Sequence, residues 1–282
     1  MRIIALTVTL WLSSLLNAKP FVMGNLEGQL GNQLFQIAAA VSLALDNDAE
    51  AVFPDLTESD KYDIPTNYHK VLFRLNGTRP QEPIEYYYTD IDSCYYKAIP
   101  YHPNMHIKWW FQSEKYFINH KDEILALFAP SEEITTYLQT KYADILKHPY
   151  TVAVHVRSYM REDPEQKFHL TYGVEYFEKA ILQFPENALF VVCSNDLKWC
   201  EEAFAHIPRN IVFIEGEPSY HDLYLMSMCK HNIICNSSFS WWSAYLNRHP
   251  DKIVLAPPAW FAPTSGQDYR DVMPEGWVVL RL

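Results

Sequence analysis

Between residues 151 and 256 the chain alternates β-branched runs with stretches of helical length, and this rhythm restricts the fold more than any other feature. Thr151-Val152-Ala153-Val154-His155-Val156 reads as a strand, and Val174 to Phe184 as a helix closed by Pro185. Ala188 to Cys193 reads as a strand, and Asp196 to His206 as a helix ending near Pro208. A strand from Asn210 to Ile214, a helix from Tyr220 to Cys229 and a strand from Asn232 to Cys235 follow. The series closes with a helix from Phe239 to Asn247 and a strand from Lys252 to Ala256. Strands and helices alternating at this spacing imply a parallel sheet with right-handed crossovers. A Rossmann-like domain of this kind binds ligands beyond the carboxyl ends of its strands.

The first half repeats the pattern once. A short apolar run, Phe21 to Met23, precedes Gly28-Gln29-Leu30-Gly31-Asn32-Gln33-Leu34-Phe35-Gln36-Ile37-Ala38, and Leu34, Ile37, Ala38, Val41 and Leu45 continue at helical spacing. The order is strand, glycine turn, helix. Gly28 and Gly31 permit positive φ and close backbone approach. The unpaired N–H groups of a helix start suit an anion, and Asn32 and Gln33 add side-chain donors. The same segment equally serves as a tight turn in any α/β domain. Residues 57–105, rich in Pro, Tyr and Asn, carry no assignable pattern, whereas Glu114 to Phe128 and Glu132 to Leu146 read as helical. A boundary near Lys147 to Pro149 divides the chain into α/β halves, residues 19–148 and 149–282, with a cleft between them as the natural active site.

Residues 1–18 stand apart. Arg2 precedes an uncharged run from Ile3 to Leu16, and Ala18 supplies a small residue at a cleavage position. This resembles a secretory signal and is short for a spanning helix, which needs about 20 apolar residues. The expectation is secretory targeting or membrane association, with a short anchor or a cytoplasmic location as alternatives.

Composition narrows the function. With 49% hydrophobic residues, the chain of 282 residues can bury a substantial core. A net charge of −11 argues against a nucleic-acid partner, which needs clustered Lys and Arg. The 19 Tyr and 8 Trp suit stacking on sugars or bases, or an aromatic core. Five cysteines without a C-x-x-C pair signal neither a disulfide framework nor a zinc site.

Three strand ends carry chemistry. His155 and Arg157 lie on one side of a strand at its carboxyl end, where an arginine suits a phosphate. Asp196 follows the next strand, where its carboxylate either accepts paired N–H donors from guanine or caps the following helix. Asn236-Ser237-Ser238-Phe239-Ser240-Trp241-Trp242 joins a strand to a helix and forms another anion site. Asn236-Ser237-Ser238 is also a glycosylation sequon, as is Asn76-Gly77-Thr78, but the first lies inside the candidate site. Asp90-Ile91-Asp92 and Asp46-Asn47-Asp48 match the D-x-D triplet of metal-dependent glycosyltransferases. Two matches in an acid-rich chain assign no metal.

Together these segments resemble the family 11 glycosyltransferases, the α-1,2-fucosyltransferases. Gly28 to Gln36 resembles that family's G-G-L-G-N-Q-M-F-Q signature, and His155-Val156-Arg157 the start of its H-x-R-R-G-D-Y motif. Ser194-Asn195-Asp196-Leu197-Lys198-Trp199-Cys200 is similar to its S-D-D-x-x-W-C segment, and Asp222 to His231 through Asn236 to Trp242 to its last motif. The four matches occur in family order from about residue 20 onward. The resemblance implies a GT-B type fold, two Rossmann-like halves facing a cleft, and inverting transfer of fucose from GDP-fucose to a glycan hydroxyl without a metal. It assigns Arg157 to the departing diphosphate with His155 beside it, Asp196 to guanine, Ser237 and Ser238 to phosphate, and Asn32 to the opposite wall. The chain departs from the motifs after Arg157, where Ser158-Tyr159-Met160-Arg161-Glu162-Asp163 replaces R-G-D-Y, and at Gln29 and Asn195. The second arginine and the glycine are lost, and Arg161 and Asp163 are the candidates to substitute from a reshaped loop. The alternatives are a related transferase with another nucleotide sugar or linkage, and a decayed protein that binds glycan or nucleotide without turnover. The retained Asn32, His155, Arg157, Asp196 and Ser238 favour the enzyme.

Overall fold

The computed structural model describes residues 19–89, 94–160 and 162–281. The signal-like segment 1–18, the triplet Asp90-Ile91-Asp92 and Arg161 lie outside them. Among the described residues, no helix is long and apolar enough to cross a membrane.

The first half runs β1 (Phe21–Gly24), α1 (Leu30–Asp46), β2 (Glu50–Val52), α2 (Asp55–Glu58), α3 (Ile64–Lys70), β3 (Tyr86–Thr89) and β4 (Met105–Lys108). Two 3-10 turns, Glu114–Tyr116 and Ile118–His120, lead into α4 (Lys121–Leu127), α5 (Glu132–Lys141) and α6 (Ala143–Leu146). The second half runs β5 (Thr151–Val156), α7 (Val174–Ile181), β6 (Leu189–Ser194), α8 (Leu197–Phe204), β7 (Asn210–Phe213) and α9 (Ser219–Met228). It ends with β8 (His231–Ile233), α10 (Ser238–Leu246), β9 (Val254–Ala256), a 3-10 turn at Pro263–Ser265 and β10 (Val278–Val279).

The strands form two parallel sheets, ordered β2-β1-β4-β3 and β10-β9-β8-β5-β6-β7. Reversal of strand order in the second sheet falls between β5 and β8, so that is where ligands are expected. Alternation along β5 sorts its side chains. Val152, Val154 and Val156 join a core with Tyr176, Phe177, Phe190 and Phe204 beneath α7 and α8. Ala153, with Val191 and Cys193 of β6, faces the other way into a core built with α9, α10 and α1.

That second core crosses from one sheet to the other. Phe35 of α1 lies 4.5 Å from Trp241 and 5.1 Å from Trp242 between ring centroids, and Phe117 stacks on Trp242 at 5.4 Å. Phe35, Phe117, Trp241 and Trp242 are all fully buried, and truncating such a ring to alanine typically costs about 3–5 kcal/mol. Phe117 also explains why the segment from Glu114 to Phe128, read as one helix, breaks into two 3-10 turns and α4. Its backbone leaves the helical region (φ −144, ψ 9), and its ring enters this core.

Two further contacts join the halves. Gly31, in the first turn of α1, packs so closely on α10 that a β-carbon would stand 2.4 Å from the Phe239 nitrogen and 2.5 Å from the Ser238 carbonyl carbon. Glu217, before α9, accepts hydrogen bonds from Tyr137 (2.9 Å), Tyr142 (2.8 Å) and Lys141, and pairs with His221. Burial alone would raise the Glu217 carboxyl, but these bonds outweigh it and hold the group down to about 2.

Gly31→Ala is expected to lower stability by about 2 kcal/mol or more, because the methyl meets backbone that cannot swing aside. Denaturant unfolding checks this, and an unchanged midpoint would refute the close-packing account.

Candidate functional site

Val156 pairs with Ser194 across β5 and β6, and Val154 pairs with Ile233 across β5 and β8. This register brings Arg157 and the Cys235–Ser238 segment to the same end of the sheet at its switch point. Alternation sends His155 to the α10 side. Its ring lies 5.3 Å from that of Phe239, and its Nδ1 is 3.4 Å from Cys235 Sγ. Burial, reinforced by the Arg157 charge, pushes the imidazole down to about 3, so it is neutral across the physiological range.

Arg157 keeps a partly exposed side chain. Its Nη2 donates to Glu162 Oε1 at 2.6 Å, and its guanidinium lies 5.2 Å from the Tyr159 ring centroid. Tyr159 stacks on His169 at 4.3 Å and donates from its hydroxyl to the Asn236 carbonyl at 3.1 Å. The reshaped loop therefore folds back over the end of β8. Asp163, one of the two candidate substitutes, is committed to this loop. Its carboxylate accepts from the backbone N–H groups of His169 (2.8 Å), Phe168 (2.7 Å) and Lys167 (3.1 Å), which hold it below the usual carboxylate range.

Opposite Arg157, α10 begins at Ser238 with Ser237 as its N-cap. The Ser238 hydroxyl donates to Asn32 Oδ1 at 2.7 Å, and Gln112 Nε2 donates to the same oxygen at 2.9 Å. Asn32 and Ser238, far apart in sequence, thus meet across the two sheets. Because Gly31 touches Ser238 and Phe239, the amino ends of α1 and α10 converge here. Each carries about half a positive charge from its unpaired N–H groups. Two like ends beside the strand end that carries Arg157 suit a polyvalent anion chemically.

Other side chains have different duties. Gly28 takes the left-handed conformation (φ 73) at the turn. Gln33 is fully buried and is no ligand donor: its Nε2 donates to the Gly28 and Tyr62 carbonyls, and its Oε1 accepts from Asn67. Asp196 caps α8, its Oδ1 accepting from the Trp199 nitrogen at 3.3 Å. Asn236 is buried and donates to the Leu170 and Trp260 carbonyls, which leaves its amide nitrogen closed to modification. The triplet Asp46-Asn47-Asp48 lies at the far end of α1, where Asp46 pairs with His120 and Asp48 with Lys19.

Asp222 escaped single-residue reasoning, because its place in the first turn of α9 is ordinary for an acidic residue. In the fold its carboxyl meets Cys193 near the end of β6, and its Oδ1 is buried without a hydrogen-bond partner. Burial pushes it up to about 7.

The family described as Glycosyl transferase family 11 matches residues 22–281. An O-antigen biosynthesis glycosyltransferase, WbnK, of Escherichia coli is 29% identical over 90% of this chain and 99% of its own length. An alpha-1,2-colitosyltransferase of the same species is 35% identical over 61% of each chain. A galactoside alpha-(1,2)-fucosyltransferase 2 of Oryctolagus cuniculus is 28% identical over 82% of this chain and 68% of its own. Among solved structures, the fucosyltransferase NodZ from Bradyrhizobium superposes with a TM-score of 0.52 at 14% identity, over 80% of this chain and 92% of its own. At that identity the likeness shows the shared fold, the GT-B arrangement of two Rossmann-like halves.

Asp222→Asn is expected to stabilise the fold above pH 7 by about 2 kcal/mol, since the buried site then holds no charge. The folded carboxyl titrates near 7 and the unfolded one near 3.8, so the penalty opens as pH rises from about 4 to 7. Unfolding midpoints at pH 5 and pH 8 test this; a gap of equal size at both would show that the charge is not the cause.

Proposed function

The chain belongs to glycosyl transferase family 11, and on that premise we propose that it transfers fucose from GDP-fucose to a galactoside hydroxyl, in α-1,2 linkage and with inversion. The observation that carries the reading is the switch-point end of the second sheet, where the register brings Arg157 and the Cys235–Ser238 segment together and the amino ends of α1 and α10 meet. Charge develops on the departing diphosphate in such a transfer, and fixed donors aimed at it supply the main catalytic effect. Arg157 is assigned to the β-phosphate, replacing its Glu162 partner with the ligand. Ser237, Ser238 and the first N–H groups of α10 are assigned to phosphate oxygens, with Asn32 holding Ser238 in place. Neutral His155 shapes the wall beneath Arg157 and adds no charge.

Asp196 is assigned to guanine. The partnerless oxygen of Asp222 favours a second reading, in which Asp222 receives the base's N–H groups. The name of the colitosyltransferase relative favours a second donor, a nucleotide sugar carrying colitose. In both readings the reaction needs no metal, because Arg157 and the helix ends supply the positive charge.

Calorimetry on the full chain is expected to show GDP binding well ahead of UDP and ADP. Arg157→Ala should weaken GDP binding and cut turnover by roughly 100-fold or more while leaving the unfolding midpoint in place. The base reader is whichever of Asp196→Asn and Asp222→Asn erases the preference for GDP over ADP. A folded Arg157→Ala protein with native turnover would sink the assignment.

EDTA is expected to leave initial rates of transfer from GDP-fucose unchanged. Loss of activity restored by a divalent ion would return attention to the D-x-D triplets.

A further inference from the structure

Two departures from the family motifs touch each other. Ser158 stands where H-x-R-R-G-D-Y has its second arginine, and Asn195 where S-D-D has its first aspartate. In space they extend the β5–β6 ladder beyond its last pair, Val156 and Ser194. The Ser158 N–H donates to Asn195 Oδ1 at 2.9 Å, and Asn195 Nδ2 donates to the Ser158 carbonyl at 3.0 Å. A carboxamide can do both at once, whereas an ionised carboxylate only accepts. The side chain of Asn195 thereby acts as one more residue of strand, at the point where Arg157 leaves the sheet.

The position matters because the other contacts on Arg157 come from the loop beyond it. Glu162 binds its guanidinium and Tyr159 lies under it. A diphosphate competes for the first of these. What remains to fix the direction of Arg157 is the backbone, and Asn195 grips the peptide groups on both sides of Ser158. We propose that Asn195 is the positioning residue for Arg157, locking the strand end so that the guanidinium stays aimed at the diphosphate. This rests on the GDP-sugar reading of the crevice and deepens it, since the residue acts through Ser158.

Two substitutions separate this from a general structural role. Asn195→Ala removes both hydrogen bonds at every pH. Asn195→Asp keeps the size and the acceptor but, ionised at working pH, cannot donate to the Ser158 carbonyl. The charged groups nearby are Arg157 and Glu162 on the loop, Asp196 at the start of α8 and Asp222 of α9 behind Cys193. The native protein carries all of them, so each affinity is read as a ratio to native at the same pH.

The experiment is calorimetric binding of GDP and GMP to the full chain at pH 8, with unfolding midpoints alongside. Both variants are expected to bind GDP about ten-fold more weakly than native, in line with the cost of a displaced binding group. GMP, which lacks the outer phosphate, should lose much less. Native-like GDP binding by Asn195→Ala, or equal losses for GDP and GMP, would each overturn the inference. Failure of the native protein to bind GDP would overturn the donor reading and this inference with it.

Discussion

The contact between the first turns of α1 and α10 is the constraint from which the rest of the site follows. It sets the distance between the two sheets, because Gly31 meets the backbone of Ser238 and Phe239. Immediately below, Phe35 packs on Trp241 and Trp242, so burial of large aromatic surface holds the helices together. Hydrophobic contact thus drives two positive helix ends into one place, which electrostatics alone would oppose. An anion seated beside the joined ends would relieve that repulsion. The packing that stabilises the fold and the field that selects the ligand have the same origin.

Burial also sets the charges around the crevice, in opposite directions. His155 is held neutral, so acid costs stability as pH falls from its ordinary value near 6.5 towards 3. Asp222 costs stability as pH rises from about 4 to 7. Glu217 behaves as a paired carboxylate: its contribution is present above about 4.5 and is lost as pH falls towards 2. Two of the three groups weaken the fold in acid, while Asp222 offsets part of that loss.

The second half of the fold was legible because each element carries its own signal. β5 to β9 are short apolar runs, and helices from α7 to α10 end near prolines or at the next strand. The rule that ligands lie beyond the carboxyl ends of parallel strands then placed His155, Arg157 and Ser237 at one end of a sheet from the sequence alone. The first half hid β3 and β4, four residues each, in a Pro- and Tyr-rich stretch where alternation is too brief to read. Individual duties were hidden for a different reason. The need for Gly31 lies in residues 238 and 239, that for Gln33 in residues 62 and 67, and that for Asn195 in the backbone of residue 158. Local pattern shows that such residues are unusual; their partners, distant in sequence, decide what they do.

The aromatic core that runs unbroken from one sheet to the other restricts how this molecule can move. Swinging the halves apart would expose Phe35, Phe117, Trp241 and Trp242 together, which are fully buried. Exposing each large ring costs on the order of 2–3 kcal/mol. The frame is therefore fixed rather than a jaw, and the part beside it that contributes no residue to either large core is the loop from Ser158 to His169, whose described residues are pinned by hydrogen bonds of Tyr159 and Asp163. The aromatic frame is untouched by changes at exposed positions, such as Met160 and Glu165, of this loop. Selection can exchange it as a module and alter what the protein accepts without rebuilding what holds it together.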